Sequence, residues 1–213
     1  MNINAQLEPG RFYHIYNRGI NGETIFKEEK NYQFFLSKYL IYISPVVETY
    51  SYYLLKNHFH LLIRIQEQNI LNQFYSENFP LSNQSKSEGL HTADFVVSKQ
   101  FARLFSSYTQ SVNKSVTRTG SLIETPFKRI EVKSNAHLSK LLWYIHYNPQ
   151  KHGFIKDFRE YPHSSYQSHL LKKPTKLQRE EVLNWFGGAT YYQQFHLSQQ
   201  TDLDIQDYLI EFD

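Results

Sequence analysis

The stretch that most constrains this chain is 56–63, where two histidines flank one phenylalanine at the start of an apolar run. Side chains alternate between the two faces of a strand, so His58 and His60 share one face while Phe59 and Leu61 take the other. Two neighbouring imidazoles on a rigid strand can bind one metal ion. With oxygen donors and no thiolate, such a site suits Mn²⁺ or Mg²⁺. The pair alone could also be a coincidence in a chain with ten histidines.

A second distinctive stretch is the LLWYIHYNP segment around Tyr144. Its apolar side chains recur at helical spacing, after a predicted helix start at Ser134. On that helix His137, Tyr144 and Asn148 line up along one flank of the apolar stripe. Pro149 is expected to end the helix, because the residue before a proline is disfavoured in the α conformation. Tyr144 is thus presented with an amide oxygen donor four residues later, although it could be an ordinary half-buried aromatic.

Together with an opening segment YHIYNRG at residues 13–19, these two stretches resemble the motifs of the single-tyrosine HUH transposases, most of all their REP-associated branch. The resemblance covers roughly residues 10–170, in the family's motif order. It implies that His58, His60 and Asn148 bind a divalent metal ion, Mg²⁺ or Mn²⁺. It also implies that Tyr144 attacks a DNA phosphate and forms a covalent 5′-phosphotyrosine.

Hydrophobic periodicity predicts the elements between these motifs. Strands are expected at 11–17, 46–55, 58–63 and 127–132, and amphipathic helices at 28–44 and from Asp94 to Gly120. The order β-α-β-β-α-β predicts an α+β fold of the ferredoxin-like split βαβ type, with two helices on one face of an antiparallel sheet. The histidine pair would then lie on the other face, where the added catalytic helix could bring Tyr144. Residues 66–93 show little period and are expected to be a functional excursion or a mobile loop.

We predict two parts, an HUH single-tyrosine transposase catalytic domain over residues 1–170 and a C-terminal helical, acidic tail over 171–213. The YPHSSY segment at 161–166 is assigned to the catalytic body by the same resemblance, and a short helix is expected at 177–186. For the acidic end, 202–213, a packing role is the favoured interpretation. The alternative is that this segment occupies the DNA groove and restrains activity.

Charge is distributed unevenly along the second half of the chain. Residues 126–176 hold ten lysines and arginines against three acidic residues, a net +7, while 177–213 hold one against seven, a net −6. The basic block surrounds Tyr144, where a polyanion would have to lie, although a solvated charged face is the alternative. Arg18, Arg129 and Lys133 are the predicted phosphate contacts, because each lies at or just beyond the end of a strand expected near the site.

Composition excludes several other classes of protein. There is no cysteine, so disulfide frameworks, thiolate zinc sites and thiol nucleophiles are ruled out. No apolar run approaches the roughly 20 residues of a membrane span, and residues 1–6 lack a signal-peptide pattern. We therefore expect a cytoplasmic protein without a membrane partner.

The expected partner is single-stranded DNA with a hairpin, held by basic side chains and by stacking on some of the 16 Phe, 17 Tyr and 2 Trp residues. The sequence leaves open whether the protein is a monomer or a homodimer, and so whether the Tyr144 helix packs on its own sheet. Two other functions remain open. One is a domesticated nucleic-acid-binding protein without catalysis, and the other is a metal-dependent nuclease that uses activated water.

Overall fold

The computed structural model describes residues 2–79 and 92–199. Its strands are β1 (Phe12–Arg18), β2 (Val47–Leu55), β3 (His58–Ile65) and β4 (Lys128–Val132). Its helices are α1 (Glu29–Tyr42), α2 (Gln68–Asn78), α3 (Ala93–Ser115), α4 (Asn135–Lys151), α5 (Tyr166–Leu170), α6 (Arg179–Trp185) and α7 (Ala189–Ser198). Short 3₁₀ turns lie at Ile20–Gly22 and Phe158–Glu160.

The four strands of this described part form one sheet in the order β2-β3-β1-β4, and every neighbouring pair is antiparallel. Helix α1 connects β1 to β2, a two-residue turn joins β2 to β3, and α3 leads back to β4. The prediction of a ferredoxin-like split βαβ fold is therefore confirmed.

Strand alternation gives the sheet two different faces. Ile15 of β1 and Phe59 and Leu61 of β3 face α1 and α3, where they belong to the larger buried apolar cluster. Leu62 lies on the opposite face and packs with α4 residues such as Leu141 in a second cluster. The sheet is thus covered on both faces, by α1 and α3 on one and by α4 with the C-terminal helices on the other.

The two long helices of the first face begin at polar caps and bury one stripe each. At the start of α1 the Glu28 side chain and the Asn31 side chain form a reciprocal capping box. At the start of α3 the Thr92 hydroxyl accepts a hydrogen bond of 3.3 Å from the Phe95 amide. The five predicted stripe residues of α3 are all buried, namely Phe101, Leu104, Phe105, Tyr108 and Val112.

The prediction of an irregular excursion over 66–93 is wrong for its first part, which forms α2. The helix buries only Leu71 and Tyr75, one helical turn apart, and apart from Ile70 and Phe74 its other residues are polar. This narrow stripe against a polar composition is why periodicity did not indicate a helix. Residues 80–91 lie outside the described residues.

Helix α4 begins as predicted and ends later than predicted. The Ser134 hydroxyl accepts a hydrogen bond of 3.2 Å from the His137 amide, as an N-cap does. Pro149 was expected to end the helix, but α4 continues through it to Lys151. A proline in the last turn removes only one intrahelical hydrogen bond, and the next turn closes through the His152 amide and the Asn148 carbonyl at 3.0 Å. Asn148 therefore stays helical and faces the sheet.

The segment after α4 covers the outer edge of β2. The Leu54 amide donates to the His163 carbonyl at 2.9 Å, and the Ser165 amide donates to the Tyr52 carbonyl at 3.0 Å. The helix predicted at 177–186 is α6, and Val182 on it is buried in the cluster around α4. The domain boundary after residue 170 stays a prediction, and the acidic segment 202–213 lies outside the described residues.

Candidate active site

The antiparallel register places both motif histidines on the face of the sheet that α4 covers. His58 and His60 are next-but-one neighbours on β3, with ring centroids 5.6 Å apart. His60 lies opposite Tyr16 on β1 and Tyr53 on β2. Its ring is stacked between them, with centroids 5.2 Å from Tyr16 and 4.8 Å from Tyr53. Adjacent strands therefore fix the plane of the His60 ring.

The Nδ1 atom of each motif histidine already has a protein partner. Nδ1 of His58 lies 2.8 Å from the Asn57 side-chain oxygen, which can only accept, so the proton of neutral His58 is on Nδ1. Nδ1 of His60 lies 2.8 Å from Nε2 of His14. For His58 this leaves Nε2 as the nitrogen with the lone pair, which is the form that binds a metal ion.

Burial keeps these imidazoles neutral at physiological pH. Burial, followed by the neighbouring His152 ring, lowers the pKa of His58 to about 4. Burial also lowers the pKa of His60 well below its usual value, with further contributions from His14 and His58. A neutral imidazole is the ligand form, so no proton has to be displaced before a metal ion binds.

Asn148 lies next to both His58 and Tyr144. Burial lowers the pKa of His58 and raises the pKa of Tyr144, and the Asn148 amide partly offsets both shifts, which places it between the two side chains. Asn148 is fully buried, yet among the described residues neither its oxygen nor its nitrogen makes a hydrogen bond of standard geometry. The amide therefore has hydrogen-bonding capacity left for a further ligand.

Two imidazoles and an amide oxygen fit a divalent ion such as Mg²⁺ or Mn²⁺ with open positions for substrate oxygens. Within residues 2–79 and 92–199, no three His, Cys, Asp or Glu side chains converge on a metal position. A metal ion at this site would therefore require the Asn148 amide in addition to His58 and His60.

Tyr144 lies against this group but is 1% exposed. Its ring centroid is 6.2 Å from that of His60, and the Lys151 ammonium lies 5.5 Å from its ring centroid. Burial raises the pKa of the Tyr144 hydroxyl well above its usual value, and nearby Tyr16 adds to the rise. The structure thus joins Tyr144 to the two histidines and Asn148, in a conformation where the phenol is protonated and covered.

The three predicted phosphate contacts are placed differently. Arg18 ends β1 on the His58 side, half-buried, and pairs with Glu124 at 2.8 Å. The Lys133 side chain is 78% exposed just beyond β4, 3.4 Å from Glu131. Arg129 lies opposite Ile15 on the α1 and α3 face, where Ser98 accepts its hydrogen bond at 2.7 Å and Asp94 lies 3.3 Å away. Arg129 is therefore separated from the other site residues by the sheet.

Sequence reasoning missed four residues of this site, namely His14, Tyr16, Lys151 and His152. The first two face α4 because they alternate with Ile15 on β1, but only the strand order shows that β1 lies beside β3. The last two follow Asn148 at the end of α4, and the predicted helix stop at Pro149 had excluded them.

Neither a known family model nor a curated protein matches this sequence. Among solved structures, the fold matches that of a REP-associated tyrosine transposase bound to a REP hairpin, with a TM-score of 0.55. The match covers 82% of this chain and 88% of that chain. The chain has the fold of a REP-associated tyrosine transposase. At 11% identity, the match confirms the α+β architecture expected of the REP-associated transposase fold and leaves the chemistry to the site residues.

Among the helices of the described residues, none is both long enough and apolar enough to cross a bilayer.

Proposed function

We propose that this protein is a DNA transposase that cleaves and rejoins single-stranded, hairpin-flanked DNA through Tyr144. The observation that carries the proposal is the convergence of His58, His60, Asn148 and Tyr144 on one face of a sheet with the REP-associated transposase fold. The partner of the matched structure, a REP hairpin, supports DNA as the partner here.

In this proposal His58, His60 and Asn148 hold Mg²⁺ or Mn²⁺. When bound, the cation supplies Lewis-acid polarisation of the scissile phosphate. The two histidines take part as neutral ligands with their Nδ1 atoms held by Asn57 and His14. The Asn148 amide, which contacts both His58 and Tyr144, also fixes the distance between the cation site and the nucleophile.

Tyr144 carries out the covalent step. Its phenolic oxygen attacks the phosphorus, the phenolic proton is lost, and the bond from phosphorus to the 3′-oxygen breaks. The leaving oxygen takes up a proton and becomes a 3′-hydroxyl, while the 5′-phosphate stays on Tyr144. Attack by a second 3′-hydroxyl reverses these changes and joins strands without a nucleotide cofactor.

Cleavage requires that DNA reaches a side chain that is 1% exposed in this structure. Lys151 is the last residue of α4, and its side chain lies over the Tyr144 ring. We propose that DNA binding displaces this end of α4. A phosphate that pairs with Lys151 would uncover the tyrosine and place negative charge where the attack takes place.

Helix α4 packs on β2 and β3 of its own chain, which supports a Tyr144 that acts on the site of the same subunit. A monomer is then sufficient for cleavage. We propose Arg18 and Lys133 as contacts to the DNA backbone, and we leave Arg129 out because it is bound to α3 on the other face.

The test is a protein–DNA adduct assay. The protein is incubated with labelled single-stranded hairpins from the DNA flanking its own gene, with Mn²⁺ or Mg²⁺, and separated on a denaturing gel. We expect an adduct that is lost in Tyr144→Phe and in His58→Ala and retained in Tyr147→Phe, a matched change three residues further along α4. Cleavage that survives Tyr144→Phe would instead indicate a nuclease that uses activated water.

One observation favours a second candidate, a nucleic-acid-binding protein without catalysis. Tyr144 is buried with a raised pKa, which is also what a structural tyrosine would show. Hairpin binding with no adduct under either metal, together with unchanged affinity in Tyr144→Phe, would establish this alternative.

A further inference from the structure

His14 is buried in the middle of β1 and was not among the predicted metal ligands. It is 2% exposed, and its Nε2 lies 2.8 Å from Nδ1 of His60. The two rings are 4.8 Å apart and tilted by 44°, so they meet nearly edge to edge at the hydrogen bond. Strand β1 thus places the His14 ring beside Nδ1 of His60, on the side of the ring away from Nε2.

The environment of His60 leaves one rotational choice open, and His14 decides it. Tyr16 and Tyr53 stack on the two sides of the ring and fix its plane, at interplanar angles of 27° and 18°. Stacking does not distinguish the two ways in which the imidazole can be turned within that plane. The hydrogen bond from His14 does distinguish them, because it requires Nδ1 on the β1 side.

The same hydrogen bond determines which nitrogen carries the proton. If Nε2 of His60 binds a metal ion, its Nδ1 is protonated and donates, so Nε2 of His14 accepts. His58 shows the same arrangement with a different acceptor, because its Nδ1 donates to the Asn57 oxygen at 2.8 Å. Each motif histidine therefore has an acceptor behind it, one from a turn residue and one from the neighbouring strand.

We propose that His14 is a positioning residue for the metal site, which holds His60 in the tautomer and orientation that present Nε2. The proposal rests on the proposed function only in that His60 is a metal ligand. His14 itself touches neither the metal nor the DNA and acts through the hydrogen bond to His60.

The test measures Mn²⁺ affinity without DNA and without catalysis, from the EPR signal of free Mn²⁺. His14→Phe fills the space with a ring that cannot accept a hydrogen bond, and we expect it to weaken Mn²⁺ binding about 10- to 100-fold. His14→Gln returns an acceptor oxygen close to the position of Nε2, and we expect affinity within about threefold of the wild type. Tyr39→Phe is the matched control, because it removes a buried hydrogen bond of 2.8 Å to Thr49 on the other face of the sheet.

The outcomes separate this proposal from the proposed function. If the wild type binds no Mn²⁺, or if the His58→Ala variant binds Mn²⁺ as tightly as the wild type, the proposed metal site is wrong and the role of His14 is rejected with it. If the wild type binds Mn²⁺ through His58 but His14→Phe binds it equally well, only the role of His14 is overturned. Equal loss in His14→Phe and His14→Gln would also overturn it, because the loss would then follow from shape.

A second measurement covers the case in which His14→Phe does not fold. Nitrogen-detected NMR of the ¹⁵N-histidine-labelled wild type with Mg²⁺ reports which nitrogen of His60 is protonated. A proton on Nδ1 agrees with the proposal, whereas a proton on Nε2 overturns it.

Discussion

Two groups of histidines lie on opposite sides of α4 and differ in how their nitrogens are used. The sheet-face histidines are His14, His58 and His60, on β1 and β3. The helix histidines are His146, on α4 itself, and His196, on α7. All of these histidines are buried except His58, which is half-buried, and both groups have lowered pKa values, His58 to about 4 and His196 to about 3. Burial and pKa therefore do not distinguish a ligand site from a structural contact.

The hydrogen bonds of the helix histidines form a closed chain. Nδ1 of His196 lies 2.8 Å from the Tyr192 carbonyl, which can only accept, so Nε2 of His196 is an acceptor. Nδ1 of His146, 2.9 Å away, must then donate to it, and Nε2 of His146 accepts from the Ser165 hydroxyl at 2.8 Å. All four ring nitrogens of the pair are used, and the chain ties α4 to α7 and to the edge of β2.

The sheet-face histidines are arranged differently. Their Nδ1 atoms have partners behind them, His14 for His60 and Asn57 for His58, and the amide of Asn148 lies next to His58. His60 contacts Tyr144, with ring centroids 6.2 Å apart, and His146 lies two residues after it on α4, so the two groups have different tasks around one proposed nucleophile. One group would hold the metal ion, and the other holds the helix that carries Tyr144.

The largest expected difference between the groups is in metal-dependent stability. At 100 times its dissociation constant, Mn²⁺ is expected to stabilise the wild type by about 2.7 kcal/mol, because it binds only the folded protein. His60→Ala should remove this stabilisation, and His196→Leu should keep it. Urea unfolding with and without Mn²⁺ measures both. Equal Mn²⁺ stabilisation of the wild type and His60→Ala would mean that the sheet-face histidines are structural too.

A smaller effect is expected from His196→Leu on stability without metal. Leucine keeps most of the volume but leaves the buried Nδ1 proton of His146 only the distant Tyr192 hydroxyl, 3.4 Å away, as an acceptor. We expect this to be destabilising by about 1–3 kcal/mol. Urea unfolding without added metal measures the free energy change. The matched variant is Leu197→Ala, an exposed neighbour on α7, for which we expect a change within about 0.5 kcal/mol. A loss under about 0.5 kcal/mol for His196→Leu would show that the chain of hydrogen bonds does not hold α4.

The sequence predicted those parts of the fold and site that depend on local periodicity. Alternation placed His58 and His60 on one face, and the helical period placed Tyr144 and Asn148 on one flank of α4. The site then required the strand order, which is not local. His14 was overlooked because local periodicity does not give the register of β1 against β3, in which Tyr16 lies opposite His60.

The same limit explains the prediction of Arg129. It was chosen for its position along the chain, near the end of a strand, whereas its function depends on the face to which it points. Its pairing with Ile15 sends it to the α3 side, and its partners there are Asp94 and Ser98. Lys133, four residues later and beyond the strand, stays exposed.

The smallest expected effect comes from Lys133 and Arg129, whose variants test on which face of the sheet DNA binds. Lys133→Ala should weaken hairpin binding and reduce the slope of log affinity against log salt by about 0.7, the value for one phosphate contact on a single strand. Arg129→Gln should leave the slope unchanged, although it loses the ion pair with Asp94. Fluorescence anisotropy with a labelled hairpin between 50 and 200 mM salt, roughly the range in which such slopes are resolved, measures both. A reduced slope in Arg129→Gln alone would place the DNA on the α1 and α3 face, away from Tyr144, and would contradict the proposed site.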